Sequence, residues 1–105
     1  MTRFQPDGLN TSLKLLPSYL QEAGYATHAV GKWHLGYCHP SYLPTRRGFS
    51  SSLGQWNHVT NYYTRMTEYH NWPDTPRDMF GYDWHEGEEI SHQGEGEFST
   101  DFLTR

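Results

Sequence analysis

The apolar positions between Leu13 and Ala23 follow the spacing of one face of a helix. They recur at i, i+3, i+4 and i+7, as Leu16, Tyr19, Leu20 and Ala23. Because proline is tolerated only in the first turn, the regular helix is expected to begin at Leu16 or Pro17. Gly24 suits the left-handed conformation that ends many helices, so the pattern predicts a helix that is capped by this glycine.

Directly after this glycine, the residues from Tyr25 to Val30 are typical of a short strand, because tyrosine, threonine and valine favour extended backbone. A helix, a tight turn and a strand make half of an α/β unit. Ligands in open α/β folds bind beyond the carboxyl ends of the strands. The predicted fold class is therefore α/β, a helix-strand unit followed by long loops, with a ligand site in the segment Gly31 to Gly36.

The rest of the chain has weaker periodicity. Between Tyr37 and Asp78, prolines, glycines, serines and aromatic residues follow no sustained period, which predicts loops and one short helix or strand near Asn61 to Met66. The acidic, glycine-rich stretch from Trp84 to Gly96 predicts a short exposed strand or turn. Ser99 is placed to cap a last helix beginning at Thr100, because serine side chains accept the free amide hydrogens of a first turn.

Composition limits what these 105 residues can form and bind. The hydrophobic content is 34%, below the usual ~45% of globular domains, so one small domain with a thin core is expected. The formal net charge is -4, which argues against the basic surface that nucleic-acid binding needs. Clustered positive charge is confined to Lys32, Arg46 and Arg47, so the favoured ligand is a small anionic group held in a pocket.

Two further features concern location and modification. No run of ~18 apolar residues is present, so no membrane span is expected, and the stretch from Met1 to Asn10 is too polar for the core of a signal peptide. Asn10-Thr11-Ser12 is a glycosylation sequon, which makes Asn10 a candidate glycosylation site in a secreted protein.

Lys32 and His34 are the strongest candidates for chemistry. In extended backbone successive side chains alternate, so these two are expected to project to one side while Trp33 points to the other and anchors the segment. Gly31 and Gly36 allow tight bends and the close approach of a ligand. An ammonium group and an imidazole would then converge on an anion. The alternative is a surface loop that Trp33 holds in place.

The chain's one cysteine lies in the segment Cys38-His39-Pro40-Ser41. A cysteine beside a histidine suits a nucleophile or a metal ligand, and His34, Cys38 and His39 offer one three-ligand zinc cluster. No second Cys/His unit completes such a site, which favours an incidental, partly exposed thiol.

Arg46 and Arg47 are consecutive in the sequence and could clamp a carboxylate or a sulfate. Adjacent side chains rarely share one target, so the alternative is one arginine paired with a framework carboxylate and the other solvated. The nearby aromatic clusters at 62–63 and 82–84 are expected to be packing anchors. Glu86, Glu88 and Glu89 are expected to form a solvated face.

The segment that contains Lys32, His34 and the two arginines resembles a known family. Residues 24–36, GYATHAVGKWHLG, resemble the second signature of the sulfatases, GY-x-T-x-x-x-GKWHLG. Residues 43–49, LPTRRGF, are similar to the arylsulfatase B subgroup with its relatives arylsulfatases I and J. Weaker similarity continues at residues 61–63, 83–89 and 98–105, so the resemblance spans nearly the whole chain.

The resemblance implies an alkaline-phosphatase-like α/β sulfatase fold, of which residues 1–105 would be an internal slice of the catalytic domain. It implies a calcium-dependent sulfuric ester hydrolase acting on sulfated sugars of glycosaminoglycans or on aryl sulfates, in the lysosome, the endoplasmic reticulum lumen or outside the cell. The signature lysine, here Lys32, binds the sulfate oxygens. The signature histidine, here His34, hydrogen-bonds the hydroxyl of a formylglycine nucleophile and assists turnover.

Departures from the family pattern concern the nucleophile and the metal. Formylglycine forms from the cysteine of C-x-P-S-R, which precedes GKWHLG in the family, whereas Cys38 follows it and Tyr42 stands where arginine belongs. The paired aspartates and the Asp-Asn pair that hold calcium, and the downstream catalytic histidine and lysine, are absent from these residues. We therefore expect the 105-residue chain alone to be inactive; a non-catalytic anion-binding sulfatase-like protein is the alternative.

Overall fold

The computed structural model of the protein describes residues 6–69 and 79–105. Within these residues the chain forms two helices, two short 3-10 helices and six strands. Their order along the sequence is α1 (Leu16–Glu22), β1 (His28–Val30), the 3-10 helices (Pro40–Tyr42 and Pro44–Arg46), β2 (Ser51–Gly54), β3 (Met66–Tyr69), β4 (Met79–Tyr82), β5 (His85–Glu86), β6 (Glu89–Ile90) and α2 (Ser99–Leu103). The predicted α/β class is confirmed, with a helix-strand unit followed by largely irregular chain.

The first helix has the start and the cap that the sequence predicts. It begins at Leu16 with Pro17 in its first turn, where the missing amide hydrogen costs nothing. Gly24 has a φ of 90°. The amide of Tyr25 donates to the carbonyl of Leu20 at 3.0 Å, the long-range bond of a Schellman cap. The chain therefore leaves α1 directly toward β1.

A four-stranded sheet in the order β1-β2-β5-β6 carries the predicted strand. The strand β1 is shorter than the predicted range and pairs in parallel with β2, with His28 opposite Ser51 and Val30 opposite Leu53. The strand β2 lies inside the range predicted as loop, so that part of the prediction is wrong. Its serines give no alternation of apolar and polar residues, and its place in the sheet comes from backbone pairing with β1.

Gly54, the last residue of β2, permits a close approach of its backbone to that of Gly31, just after β1. A Cβ atom at this position would lie 2.0 Å from the carbonyl oxygen of Gly31, and the φ of Gly54 is 147°. Any larger residue would separate the ends of the two parallel strands. The glycine at the end of β2 thus lets this strand end immediately beside Gly31, the first residue of the predicted ligand segment.

The remaining strands form hairpins. The strands β3 and β4 pair antiparallel, with Met66 opposite Tyr82, and β3 begins at the end of the range where one short element was predicted. Residues 70–78, the last part of the predicted loop region, lie outside the described residues. A short exposed strand or turn was predicted within Trp84 to Gly96, and the structure has two short strands there, β5 and β6, paired as a hairpin.

The last helix differs from the prediction at its first residue. The helix α2 already includes Ser99, and the N-cap position is occupied by Phe98 without a side-chain capping bond. Ser99 is buried, and its amide donates to the carbonyl of Tyr62 at 2.9 Å. Tertiary contact with the turn before β3 therefore replaces the expected serine cap.

The core is as thin as the composition predicts. Within residues 6–69 and 79–105, the large apolar side chains that are buried are Leu43 and Trp84, and Pro44 is buried beside Leu43 in the chain. The apolar face of α1 is exposed, with Leu16 at 69% and Tyr19 at 54%. No helix in the described part of the chain is long and apolar enough to cross a membrane.

Candidate functional site

The parallel pairing of β1 and β2 brings two loop segments to the same edge of the sheet, because both strands end there. Backbone bonds continue past the strands: Trp33 donates to the carbonyl of Gln55 and His34 to that of Trp56, each at 2.9 Å. The segment with the candidate residues Lys32 and His34 therefore lies against residues 55–58. This edge is where ligands bind in α/β folds.

Trp33 anchors the candidate segment, as expected. Its indole Nε1 donates to the carbonyl of Tyr42 at 2.9 Å. Its ring meets that of Phe49 edge to face, with centroids 6.0 Å apart. His34, in contrast, has a φ of 53°, in the left-handed region. Side-chain alternation thus holds only as far as Trp33, and the direction of His34 is set by its contacts.

The His34 ring contacts the ring of His58, with centroids 5.0 Å apart and an interplanar angle of 33°. The Nε2 atom of His34 is buried and has no hydrogen-bond partner among the described residues. His58 also lines a cavity together with Lys32. The two residues singled out from sequence are therefore connected through a third residue that the sequence did not indicate.

This cavity has a volume of about 360 Å³ and an open mouth. Its polar lining comprises Lys32, Gln55, His58, Thr60, Ser99 and Thr100. Trp84 and Leu103 contribute apolar surface. Lys32 is exposed, and in the described ranges no carboxylate pairs with it. Its ammonium group is thus available to an anion entering the cavity.

A buried carboxylate holds the loop after β2 in place. The Oδ1 atom of Asp83 accepts the amide hydrogen of Trp56 at 2.9 Å, and Oδ2 accepts that of Asn57 at 2.8 Å. The Asn57 side chain in turn accepts the amide hydrogen of His58 at 2.8 Å. Carboxylate bonds to backbone amides are strong, so His58 is presented on a rigid loop.

An aromatic stack supports the same loop from the side. The rings of Trp56 and His85 are parallel within 4°, with centroids 3.6 Å apart, and His85 Nδ1 lies 3.4 Å from Asp83 Oδ1. Sequence reasoning missed Asp83, His58 and His85. In the sequence, the one feature that could have indicated them was the polar and aromatic run Gln55 to His58. This run points to the site only when β2 is known to end beside β1.

The cysteine segment lies apart from these contacts. Cys38 is an exposed free thiol whose sulfur is 3.8 Å from the carbonyl oxygen of Asp7. The Nδ1 atom of His39 accepts the amide hydrogen of Ser41 and so caps a 3-10 helix. Residues 6–69 and 79–105 contain no group of three His, Cys, Asp or Glu able to hold a metal, so the zinc cluster with His34 is wrong.

The two adjacent arginines do not form an anion clamp. Arg46 makes a two-pronged pair with Glu88, with Nε 2.5 Å from Oε1, as expected for one arginine paired with a framework carboxylate. Arg47 is buried rather than solvated. Its guanidinium donates to the carbonyl of Leu9 at 2.7 Å and to that of Asn10 at 3.1 Å. Both arginines therefore hold the framework together.

Glu86, Glu88 and Glu89 are exposed, as predicted for a solvated face, and Glu88 pairs there with Arg46. The hydrogen bond from Arg46 lowers the pKa of the Glu88 carboxyl, and the same bond raises the pKa of Arg46. Thr45 adds a hydroxyl donor at 3.2 Å. The tip of the β5–β6 hairpin is thereby tied to the 3-10 helix Pro44–Arg46.

The stability contributed by this pair should depend on pH. Because folding lowers the pKa of Glu88, the contribution is complete above the unfolded-state pKa of ~4.3 and is lost as the pH falls through the folded-state pKa. We expect Glu88→Gln to lower the midpoint temperature of thermal unfolding slightly at neutral pH. In strong acid the substitution should leave this temperature unchanged. Circular dichroism melts at both pH values test this, and equal losses at the two would contradict it.

Asn10, the candidate glycosylation site, is exposed, and its side chain accepts the amide hydrogen of Ser12 at 2.9 Å. Of the two aromatic clusters predicted to be packing anchors, the one at 82–84 has a buried anchor in Trp84, whereas Tyr62 and Tyr63 are 59% and 54% exposed and contact the core only at one side. Trp84 is 1% exposed, and the rings of Tyr62 and Tyr63 pack on Phe98 with centroids 5.3 and 5.6 Å away.

Comparisons with a family model and with curated relatives give consistent matches. The family model described as Sulfatase matches residues 1–104. Arylsulfatase J of Mus musculus is 37% identical over 102 residues, which cover 96% of this chain and 16% of that protein. N-acetylgalactosamine-6-sulfatase of Homo sapiens is 44% identical over 50 residues, 48% of this chain and 9% of that protein. The chain thus spans a small part of these relatives.

Solved structures agree on the fold. The crystal structure of Ps i-CgsB matches with a TM-score of 0.71 at 26% sequence identity, over 95% of this chain and 23% of that one. The same protein in complex with k-i-k-neocarrahexaose matches with a TM-score of 0.72, at the same identity and coverage.

Proposed function

Because this chain belongs to the sulfatase family, which it matches over residues 1–104, we propose that it forms part of the catalytic domain of a sulfuric ester hydrolase. The observation that carries the proposal is the position of Lys32, the lysine of GKWHLG. It follows a parallel strand at the ligand-binding edge of the sheet and lines a cavity of about 360 Å³.

Lys32 has the chemistry that a sulfate ester requires. Its ammonium group offers up to three donors, and a charge-assisted bond to an anionic oxygen contributes ~1.5–3 kcal/mol. We assign it to binding the sulfate oxygens. His34 is assigned to the hydroxyl of the formylglycine nucleophile. Its buried and unpartnered Nε2 supports this role, because such an atom lacks only a partner that a nearby hydroxyl can supply.

We propose a sulfated sugar, such as those of glycosaminoglycans, as the substrate. Sugars combine hydroxyl groups with apolar C–H faces, and the cavity combines hydroxyl and amide side chains with Trp84 and Leu103. Among the relatives, one is named N-acetylgalactosamine-6-sulfatase, and a similar structure holds k-i-k-neocarrahexaose. Aryl sulfates would fit the same anion site.

On family grounds, we also propose that the whole protein binds a calcium ion, with ligands that come from outside these 105 residues. The described residues bring no three His, Cys, Asp or Glu side chains together, so they do not fit a calcium site, and no step of the reaction is assigned to the ion. Lysosomal or secretory localisation is proposed on the same family grounds, and glycosylation of Asn10 on its exposed sequon, which counts only in a secreted protein.

Turnover of 4-methylumbelliferyl sulfate tests the proposed activity. The protein to assay is the longest natural chain that contains residues 1–105, here called the full natural chain. We expect it to release the fluorescent alcohol and the isolated 105 residues to release none. Tight sulfate binding by the full natural chain without turnover would instead establish the alternative, a non-catalytic anion-binding protein.

Cys38 should not be the nucleophile. It is exposed, it follows the GKWHLG segment, and its side chain lies against the carbonyl of Asp7 rather than beside Lys32. We expect peptide mass spectrometry of residues 37–46 to find an unmodified cysteine and Cys38→Ala to keep full turnover. Formylglycine at position 38 would overturn this assignment.

A further inference from the structure

We propose that His58 is a positioning residue that holds the imidazole of His34 in its working orientation. This inference rests on the proposed function, in which His34 contacts the nucleophile. The centroids of the two rings are 5.0 Å apart and their planes are tilted by 33°. This distance lies within the range of favourable aromatic pairs. Neither the signature motif nor any sequence periodicity indicates His58.

His34 needs such support because its own backbone is unusual. Its φ of 53° is uncommon for a residue other than glycine, although histidine adopts it more often than most residues, and such a conformation persists where the surroundings hold it. The backbone is fixed by the bond from its amide to the carbonyl of Trp56. The side chain has no hydrogen bond at Nε2 within the described residues, so ring contact sets its plane.

His58 can provide this support because it is itself held firmly. Asp83, which is 8% exposed, binds the amides of Trp56 and Asn57, and Asn57 binds the amide of His58. Each bond in this series is 2.8 or 2.9 Å long. The series runs from a buried carboxylate to the His58 backbone, so the loop that presents the His58 ring to His34 is held in place.

The position of His58 also relates His34 to the substrate. His58 lines the cavity beside Lys32 while its ring meets His34. A change in the orientation of His58 would therefore move His34 relative to an anion held by Lys32, without removing the lysine that binds the anion. The chemical step should suffer more than substrate binding, because a small misplacement of a reacting group slows the reaction strongly.

Steady-state kinetics of the full natural chain with 4-methylumbelliferyl sulfate provide the test. We expect His58→Ala to lower kcat about tenfold with KM changed less than twofold, and His58→Phe, which keeps a stacking ring, to recover most of the loss. His39→Ala, at an exposed histidine that caps a 3-10 helix, is the matched control and should keep wild-type values. An unchanged kcat in His58→Ala, or a loss confined to KM, would overturn the proposal.

A second measurement separates this inference from the proposed function. Proton-carbon NMR spectra of the histidine rings in the full natural chain report the surroundings of His34 whether or not the protein is active. We expect the His34 ring signals to shift in His58→Ala and to return toward wild type in His58→Phe, with backbone signals elsewhere unchanged. If the wild type hydrolyses no sulfate ester, the proposed function fails, and unmoved His34 signals would refute the positioning role independently.

Discussion

Lys32→Ala should lower kcat/KM of the full natural chain for sulfate esters by about 10²–10³-fold, the usual effect of removing one donor from an anionic transition state. Lys32 is the cation that lines the cavity of about 360 Å³, and no described carboxylate competes for its ammonium group. The sulfate group is negatively charged throughout the reaction. Loss of the lysine should therefore weaken both binding and turnover, as steady-state kinetics will show.

The control for this experiment is Lys14→Ala. Lys14 pairs with Glu22 and lies over the ring of Tyr19 on the surface of α1, away from the cavity. Its removal should leave the kinetics unchanged. Lys32→Arg keeps the charge but changes its shape and reach, so an intermediate loss is expected. Wild-type kinetics for Lys32→Ala would remove the main support for the assigned site.

Arg65→Ala should lower the free energy of unfolding by about 2–5 kcal/mol, the largest stability effect we expect from a single substitution. The Arg65 side chain is fully buried. Its guanidinium donates to the carbonyls of Tyr62 and Gly94, the latter at 2.6 Å, and lies 4.4 Å from the ring centroid of Trp84. The alanine variant removes two charge-assisted hydrogen bonds and the ring contact and leaves a buried cavity, although the two carbonyls keep the amide hydrogens of Ser99 and Glu97.

Denaturant unfolding of the full natural chain measures this effect, with Arg105→Ala as control. Arg105 is exposed and pairs with Glu97 at 3.0 Å, an interaction of small net energy. Because Arg65 joins the turn before β3 to the loop before α2, its loss should also open the cavity wall formed by Trp84. A change below ~0.5 kcal/mol for Arg65→Ala would show that these contacts do not stabilise the fold.

The local elements were predictable because their causes are local. Pro17 and Gly24 fix the start and the end of α1 through backbone geometry that depends on neighbouring residues alone. The position of Lys32 in the ligand segment was predicted because this residue follows a short strand of favourable composition and belongs to a long, specific motif. A short exposed strand or turn in the acidic stretch that forms β5 and β6 was predicted from its glycines and its glutamates.

The rest depends on contacts between distant parts of the chain. The strand β2 has two serines and a glycine, so its identity as a strand appears only when β1 pairs with it. Arg65 resembles a surface residue in the sequence, yet it is buried because two carbonyls and Trp84 surround it. His58 becomes relevant only because β2 ends beside β1, which brings it to His34.

The most direct test of the central claim is the position of sulfate in a crystal structure of the full natural chain. We expect one sulfate in the cavity beyond β1 and β2, with an oxygen ~2.7–3.2 Å from Nζ of Lys32, the normal length of a hydrogen bond. His34 should lie on the same side, with its ring still stacked on His58. A sulfate bound in the active site without contact to Lys32 would contradict the account.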